Sequence, residues 1–307
     1  MPVRAKIVAM RGIEDLESLV QSWEIHLRSE RKSKQTLKQY LTGVNRWLRW
    51  CEETGTPPRL DRRTVEAFTA HLLDNGAGAT TAGMRQYALR RFSAWLVDEG
   101  ELERDELVGI KPPKKDQKLI TALTDDELTA LIKACQGRSF VDRRDETLVR
   151  VIAEVGARAE EVCAMTLGDV DLVRGSAVIR RGKGGKSRMV PLGPKTCQAV
   201  DRYLRQRRTH PLADSPALWL GGQGKTFGYA GLYDALKRRA ELAGITDFHP
   251  HRLRHTFAGR WLASGGSESG LMAVAGWSRR DMIDRYARST SERRAAEEAA
   301  RLHLGDI

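Results

Sequence analysis

The stretch HPHRLRHTFAGRWL, residues 249–262, concentrates six cationic or titratable side chains in fourteen residues. These are His249, His251, His255, Arg252, Arg254 and Arg260. Cationic side chains this close together repel one another, and they resist burial unless an anion lies among them. The stretch therefore predicts an anion-binding site, and the anion is either a ligand or a substrate.

A metal site is the competing interpretation, because His251 and His255 fall at i, i+4 on one face of a helix. Zinc would be a cation beside Arg252 and Arg254, and no cysteine or carboxylate in the run would offset the charge. We therefore expect no metal. The four cysteines lie far apart without a CxxC pair, which predicts neither a zinc site nor a disulfide framework and indicates reduced thiols.

The charge of the whole chain favours a polyanionic partner. The 307 residues include 52 Lys and Arg against 40 Asp and Glu, a net charge of +12. A basic surface without such a partner would give the same balance, so charge alone does not decide. No apolar run approaches the roughly 20 residues of a membrane span. The N-terminal MPVRAKIVAMRG is too short and charged for a signal peptide, so we expect a cytoplasmic protein with no membrane partner.

Residues 14–100, after a basic tail at 1–13, are predicted to form four helices. Ser33 has the character of an N-cap for the second helix, and Gly55 ends it. In the fourth helix the predicted inward residues are Met84, Tyr87, Ala88, Phe92, Trp95 and Leu96. Its remaining surface carries Arg85, Arg90 and Arg91. This module is therefore predicted to have a partly basic surface.

Residues 101–121 are predicted to be an exposed interdomain linker, because they are charged and contain a Pro-Pro pair. The capping box of Thr124 and Glu127 begins a second domain, 122–307, that is mostly helical. SAVIRRGKGGKSRMVPL, residues 176–192, interrupts the helices with two β-prone runs around a glycine-rich turn, which predicts a hairpin. The fold class is mainly α with a small β-sheet.

The GKGGKS segment, residues 182–187, invites comparison with a nucleotide-binding P-loop. That motif requires a glycine five positions before Gly185, where Arg180 stands, and a helix after the loop. The segment RMVPL that follows is β-prone. We therefore reject the P-loop.

Four stretches, taken together in order, resemble the tyrosine recombinases, the phage-integrase family. They are EVGARAEEVCAMTLGDVDL (154–172), RGKGGKSRMVPL (181–192), HPHRLRHTFA (249–258) and AGWSRRDMIDRYAR (275–288). The resemblance covers nearly the whole chain, because 14–100 is similar to that family's SAM-like core-binding domain. It implies two domains that form a C-shaped clamp on DNA, in the simple arrangement without an arm-binding domain.

The resemblance also implies roles for individual residues. The catalytic set is Arg158, Lys183, His251, Arg254, Trp277 and the nucleophile Tyr286, supported by Glu161 and His255. DNA-binding roles are expected for Arg85, Arg90, Arg91, Lys186, Arg188 and Arg252. An arginine suits the first position because its planar fork binds two phosphate oxygens and keeps its charge. Taken alone, Arg158 and Glu161 would be an ordinary surface pair on a helix.

Trp277 lies nine residues before Tyr286, the spacing that the family keeps before its nucleophile. Most members have histidine at this position, and some have tryptophan. An indole offers one N–H donor and is neither an acid nor a base, so proton transfer would depend more heavily on His251 and Lys183.

By resemblance, the protein is a site-specific recombinase that acts through a 3′-phosphotyrosyl intermediate and a Holliday junction. Its partner is double-stranded DNA, and it needs no cofactor. Four protomers are expected on two DNA sites, with a monomer in the absence of DNA, and the C-terminal helix docks on a neighbour or on its own domain. Integration or excision of a mobile element is the expected role. Dimer resolution by the same chemistry, a type IB topoisomerase and a non-catalytic DNA-binding protein are the alternatives.

Overall fold

The computed structural model describes residues 13–114, 121–180, 187–280 and 283 of the chain. Two compact units divide the chain, residues 1–118 and 119–307. Each unit has its own buried apolar core. The prediction of a mainly helical protein with a small sheet in its second part is confirmed. No helix in the described ranges is long and apolar enough to cross a membrane.

Within residues 13–114, four helices build the first unit: α1 Ile13–Ser29, α2 Lys34–Thr54, α3 Arg62–Asp74 and α4 Ala79–Asp98. Helix α2 begins and ends as predicted. The Ser33 hydroxyl accepts a hydrogen bond from the Thr36 N–H at 3.1 Å, and Gly55 ends the helix in the left-handed conformation at φ 62°. Every helix contributes at least one large buried ring to the core, namely Trp23, Trp47 and Trp50, Phe68, and Phe92 and Trp95.

Helix α4 faces the core differently from the prediction. Met84 and Tyr87, which were predicted to face inward, are 38% and 42% exposed, whereas Ala88 is fully buried. A Cβ on Gly43 of α2 would lie 2.5 Å from the Ala88 Cβ, so the two helices approach too closely for any larger pair. Small residues therefore occupy the centre of this contact, and Tyr87 packs at its edge against the ring of Tyr40.

The segment 101–114 differs from the predicted exposed linker. Leu107 and Ile110 are buried in the core of the first unit. Asp105 fixes the turn by accepting hydrogen bonds from the Ser93 hydroxyl at 2.6 Å and the Leu107 N–H at 3.0 Å. Because the segment is mainly charged and contains prolines, its composition did not indicate that these two apolar residues are buried. The first unit therefore extends beyond residue 100.

Seven α-helices lie in the described part of the second unit: α5 Asp125–Ala134, α6 Phe140–Val155, α7 Ala159–Cys163, α8 Pro194–Arg207, α9 Tyr229–Leu242, α10 Pro250–Ala263 and α11 Glu268–Ala275. The predicted capping box at the start of α5 is present, with Thr124 N–H donating to Glu127 at 2.8 Å and Glu127 N–H donating to the Thr124 hydroxyl at 3.1 Å. Helix α6 is central, and its residues 144–149 are all buried.

The predicted hairpin is formed by β2 Ser176–Ile179 and β3 Arg188–Pro191, which pair antiparallel with Ile179 opposite Arg188. A two-residue strand, β1 Val170–Asp171, pairs with the other edge of β2 and was not predicted. The glycine-rich turn with Lys183 and Lys186 lies outside the described residues. Tyr286 and the expected C-terminal helix lie outside them as well.

Replacement of Leu107 by alanine tests whether residues 101–114 belong to the first core. The lost burial and the cavity should lower the free energy of unfolding of the first unit by about 2–5 kcal/mol. The matched control is Val108→Ala, because Val108 is 67% exposed and such surface changes stay within about 0.5 kcal/mol. Denaturant unfolding of the two variants measures both values. Equal, small effects would mean that the segment does not stabilise the unit.

Candidate active site

Arg158 follows the turn that ends helix α6. Gly156 makes this turn in the left-handed conformation, with φ 60°. A Cβ at this position would lie 2.2 Å from the Phe257 ring on α10. Glycine is therefore required twice, by the backbone conformation and by the close approach of α10. The turn places Arg158 at the N-cap of α7, with its side chain 31% exposed.

Glu161 holds two arginines from distant parts of the chain. One carboxylate oxygen accepts from Arg158 Nη1 at 2.7 Å, and the other accepts from the Arg158 backbone N–H at 3.1 Å. That second oxygen also accepts from Arg188 Nη2 at 2.7 Å. Burial by itself would raise the pKa of Glu161, but the hydrogen bonds from Arg188 and Arg158 outweigh it and lower the pKa below its ordinary value. The carboxylate is therefore ionised at neutral pH.

Arg254 on α10 is 1% exposed, and backbone carbonyls surround its guanidinium. It donates to the Gly156 carbonyl at the end of α6 and to the Ala275 carbonyl at the end of α11, the latter at 2.9 Å. The C-terminal carbonyls of a helix carry partial negative charge, which stabilises a buried cation. The guanidinium also lies 5.2 Å from the ring of Trp277, which is 6% exposed.

Arg188, on strand β3 of the sheet, is the third arginine held at this site. Besides its bond to Glu161, it donates from Nε to the Val274 carbonyl of α11 at 2.7 Å. A Cβ on Gly276 would lie 2.8 Å from the Arg188 guanidinium, so a glycine is needed where α11 ends. Arg188 therefore joins β3, the turn at Arg158 and the end of α11. We call Arg158, Arg188 and Arg254 the arginine cluster.

Arg188 was expected to contact DNA, and the structure places its side chain inside the unit. Its side chain is only 12% exposed and its donors are held inside the unit. A signal for this was available, because side chains alternate between the two faces of a strand. Arg188 shares its face of β3 with buried Val190, whereas Met189 between them is 69% exposed.

The histidines lie at the start of α10. His249 is the N-cap, and burial followed by the charge of Arg252 lowers its pKa below the ordinary value. His251 is exposed, and its ring meets that of buried His255 edge-on with centroids 4.8 Å apart. Within the described ranges no group of three His, Cys, Asp or Glu side chains could hold a metal ion.

The charges at this site favour a bound anion. Two of the three guanidinium groups share the Glu161 carboxylate, and the helix-end carbonyls that hold Arg254 supply only partial charges. Arg158 and His251 are accessible from solvent, while Arg254 and Trp277 lie beneath the surface. Fixed donors around a positive centre are suited to stabilising the charge of a phosphate during its reaction.

Two family models match this chain. The phage integrase family matches residues 121–293, and the N-terminal SAM-like domain of phage integrases matches residues 20–100. The chain belongs to the phage integrase family. It is a tyrosine site-specific recombinase, as predicted from the four sequence stretches. Tyrosine recombinase XerC of Pseudomonas fluorescens is 30% identical over 82% of this chain and 85% of its own length.

Solved structures share the recombinase fold. The Tn1549 transposon integrase in complex with circular intermediate DNA has a TM-score of 0.73 and 18% identity, covering 91% of this chain and 98% of that one. A lambda integrase tetramer bound to a Holliday junction has a TM-score of 0.67 and 16% identity, covering 86% of this chain and 77% of that one. At these identities the likeness concerns the fold.

Arg252 does not join the arginine cluster of the recombinase, although it was predicted to bind DNA. It is 8% exposed and donates to the carbonyls of Thr121 at 2.9 Å and Thr246 at 2.8 Å. Its guanidinium also lies 3.8 Å from the Glu127 carboxylate. These contacts fix the start of the second unit and leave Arg252 facing the interior. Although the sequence of α10 is polar, packing buries every residue from 252 to 258.

The other predicted DNA contacts lie in the first unit or outside the described residues. Arg85, Arg90 and Arg91 are half-buried on α4. Burial, followed by the nearby charge of Arg46, lowers the pKa of Arg85, which donates to the Gln39 carbonyl at 3.3 Å. Lys183, Lys186 and Tyr286 are outside the described ranges, so their roles stay predictions.

Gly156→Ala tests the turn that carries Arg158. The alanine must adopt φ 60° and must also displace the Phe257 ring, so the second unit should lose clearly more stability than from backbone strain alone. The matched control is Gly244→Ala in the same unit, because Gly244 has φ 72° and nothing within 4 Å of an added Cβ. Strain alone costs about 1–3 kcal/mol. Thermal unfolding should therefore show a larger shift for Gly156→Ala, and equal shifts would contradict the close approach of α10.

Proposed function

We propose that this recombinase cuts and rejoins double-stranded DNA through a covalent bond to Tyr286. The arginine cluster is the observation that supports this proposal. Its positive charges outnumber the one carboxylate, and one guanidinium is accessible, which fits the binding of a phosphodiester. Arg158 and Arg254 bind the non-bridging oxygens and neutralise the charge that accumulates on them. Glu161 and Arg188 act indirectly, since they hold Arg158 in position.

In the reaction, the Tyr286 oxygen attacks the phosphorus and the bond to the 5′-oxygen breaks. The products are a 3′-phosphotyrosyl bond and a free 5′-hydroxyl. A tyrosine has an ordinary pKa of about 10, so unaided attack is slow at neutral pH. His251 takes up the tyrosine proton, and Lys183 donates a proton to the leaving oxygen. The intermediate conserves the phosphodiester bond energy, and a 5′-hydroxyl of the partner strand reverses the step without ATP or metal.

Trp277 has a role that excludes proton transfer. Its indole is a donor only, and its ring packs over the Arg254 guanidinium and among apolar side chains. It therefore orients Arg254 and contributes one N–H group toward the phosphate. Proton transfer therefore depends on His251 and Lys183.

Complete recombination requires two DNA sites and four protomers, with two successive strand exchanges through a Holliday junction. The lambda integrase tetramer on such a junction has the same fold, which supports this assembly. In the tetramer the C-terminal segment of one protomer docks on its neighbour, and without DNA the protein is a monomer.

The biological role is integration or excision of a mobile element. Resolution of chromosome or plasmid dimers is the second candidate, and the XerC relative favours it. Sequencing the DNA recovered from covalent complexes in cells separates the two. Junctions of a mobile element support the first role, and one fixed chromosomal or plasmid site supports the second.

Tyr286→Phe tests the nucleophile. The variant should form no covalent complex with a suicide DNA substrate, because the attacking oxygen is gone, yet it should bind DNA almost as the wild type does. Tyr229→Phe is the control, since Tyr229 is a half-exposed tyrosine of the same unit on α9. Denaturing gel electrophoresis detects the adduct. A protease-sensitive adduct with Tyr286→Phe would refute the assignment.

Lys183→Ala tests the proton donor to the leaving group. Cleavage of normal DNA should slow by about 10²-fold or more, the usual effect of losing a general acid. A 5′-bridging phosphorothioate should restore much of the rate, because a thiolate leaves without a proton. Arg254→Ala should show no selective rescue, since it acts on the non-bridging oxygens. Equal defects of Lys183→Ala on both substrates would make Lys183 a positioning residue and Lys186 the next candidate.

A further inference from the structure

A basic cleft of about 590 Å³ lies on the second unit, beside helices α6 and α8 and the loop before α6. Its charged residues are Arg138, Arg143, Arg150, Lys195, Arg202 and Glu146. Five cations thus surround one carboxylate. None of the other lining residues is aromatic or aliphatic, so the cleft offers charge and hydrogen bonds and no surface for stacking a base. We refer to it as the basic cleft.

Glu146 cannot neutralise the cations around it. Its side chain is 3% exposed and contacts three guanidinium groups, with Arg143 at 3.7 Å, Arg150 at 2.9 Å and Arg202 at 3.2 Å. One negative charge is therefore shared among three positive charges. The like charges that remain repel one another, and a bound anion would relieve this repulsion.

Two further cations increase the surplus. Arg138 and Lys195 are exposed, and neither has a carboxylate within 4.0 Å among the residues that the structure describes. The Nε–H of Arg202 is also buried and lacks a hydrogen-bond acceptor within that part of the chain. Such a donor costs free energy while it has no acceptor. The surplus of positive charge points to a multiply charged oxyanion as the ligand.

The cations lie in two rows, one on each helix. Arg143 and Arg150 are seven residues apart on α6, and Lys195 and Arg202 are seven residues apart on α8. The guanidinium groups of Arg143, Arg150 and Arg202 converge on Glu146, whereas Lys195 lies roughly 10 Å from Arg202 along the helix. Because one DNA strand carries a phosphate about every 3.4 Å along the duplex axis, the cleft extends over more than one phosphate.

The basic cleft is separate from the arginine cluster. On α6 it begins at Arg150, six residues before Gly156, which is roughly 9 Å along the axis, and its other residues on this helix lie farther from that end. The two helices run antiparallel, since the Gly193 N–H at the start of α8 donates to Glu154 near the end of α6 at 2.7 Å. The cleft residues therefore need another partner than the reacting phosphate.

We propose that the basic cleft is a second DNA-contact site, which binds the phosphate backbone of duplex DNA without reading its sequence. It goes beyond the proposed function, because it requires neither strand cleavage nor Tyr286. The two helix rows hold one strand, and Arg138 and Lys195 extend the contact at the surface. Glu146 keeps the three arginines in place when no DNA is bound.

The test is the salt dependence of DNA binding by the full-length protein. Arg138→Ala/Lys195→Ala removes two cations and leaves all three contacts of Glu146 intact. The control, Arg205→Ala/Arg208→Ala, removes the same charge from exposed positions at the end of α8 that do not line the cleft. Each phosphate contact contributes about 0.9 to the slope of log K against log salt concentration, so the cleft variant should lose about 1.8. Fluorescence anisotropy with a long random-sequence duplex measures this slope.

Titration with tripolyphosphate by calorimetry distinguishes DNA from a free oligophosphate. A slope that falls only in the cleft variant supports the proposal. Unchanged slopes, or equal losses in both double variants, overturn it. If the cleft variant loses tripolyphosphate binding but keeps the wild-type slope, the DNA assignment fails and the site takes a free anion. Covalent capture by Tyr286 should persist in the cleft variant, so a failure of the catalytic proposal is recognised separately.

Discussion

The carboxylate shared by Arg158 and Arg188 is the interaction on which the catalytic unit depends. Glu161 is 5% exposed, and its two partners come from a helix N-cap and a β-strand 30 residues apart in sequence. Removing one partner of a buried ion pair costs about 3–5 kcal/mol, because the remaining charge stays desolvated. Loss of Glu161 would leave Arg188 as such a cation, whereas Arg158 is partly exposed to solvent. Its ionised form therefore fixes the sheet against the turn that presents Arg158.

Helix ends supply the rest of the negative potential. Helix α6 ends at Gly156 and helix α11 at Gly276, both in the left-handed conformation. The carbonyls near these ends accept hydrogen bonds from Arg254 and Arg188. A helix terminus leaves its last carbonyls without partners inside the helix, so a buried arginine and a helix end satisfy each other. The positive centre is thereby assembled before any phosphate arrives, and little reorganisation is needed during reaction.

Helix α6 connects this centre to the basic cleft. In both places one buried carboxylate, Glu161 or Glu146, holds more arginines than it can neutralise. A single carboxylate can orient several guanidinium groups because each of its oxygens accepts more than one hydrogen bond. The uncompensated charge then remains available to an anion. In our two proposals, the same device serves a reacting phosphate at one end of the helix and a non-reacting backbone along its side.

The sequence by itself determined the helical pattern of both units, the caps at Ser33, Gly55 and Thr124, the hairpin, and membership of the recombinase family. These features depend on local periodicity, cap chemistry and short motifs, which neighbouring residues encode. Tertiary structure alone decided which cations are buried. Arg188 and Arg252 carry the charge, and lie among the basic neighbours, that are expected of arginines that contact DNA. The carbonyls and carboxylates that hold them nevertheless come from segments distant in the chain. The exposed positions of Met84 and Tyr87 and the anchoring of Leu107 were decided in the same way, because the space at each position is set by how closely other segments pack.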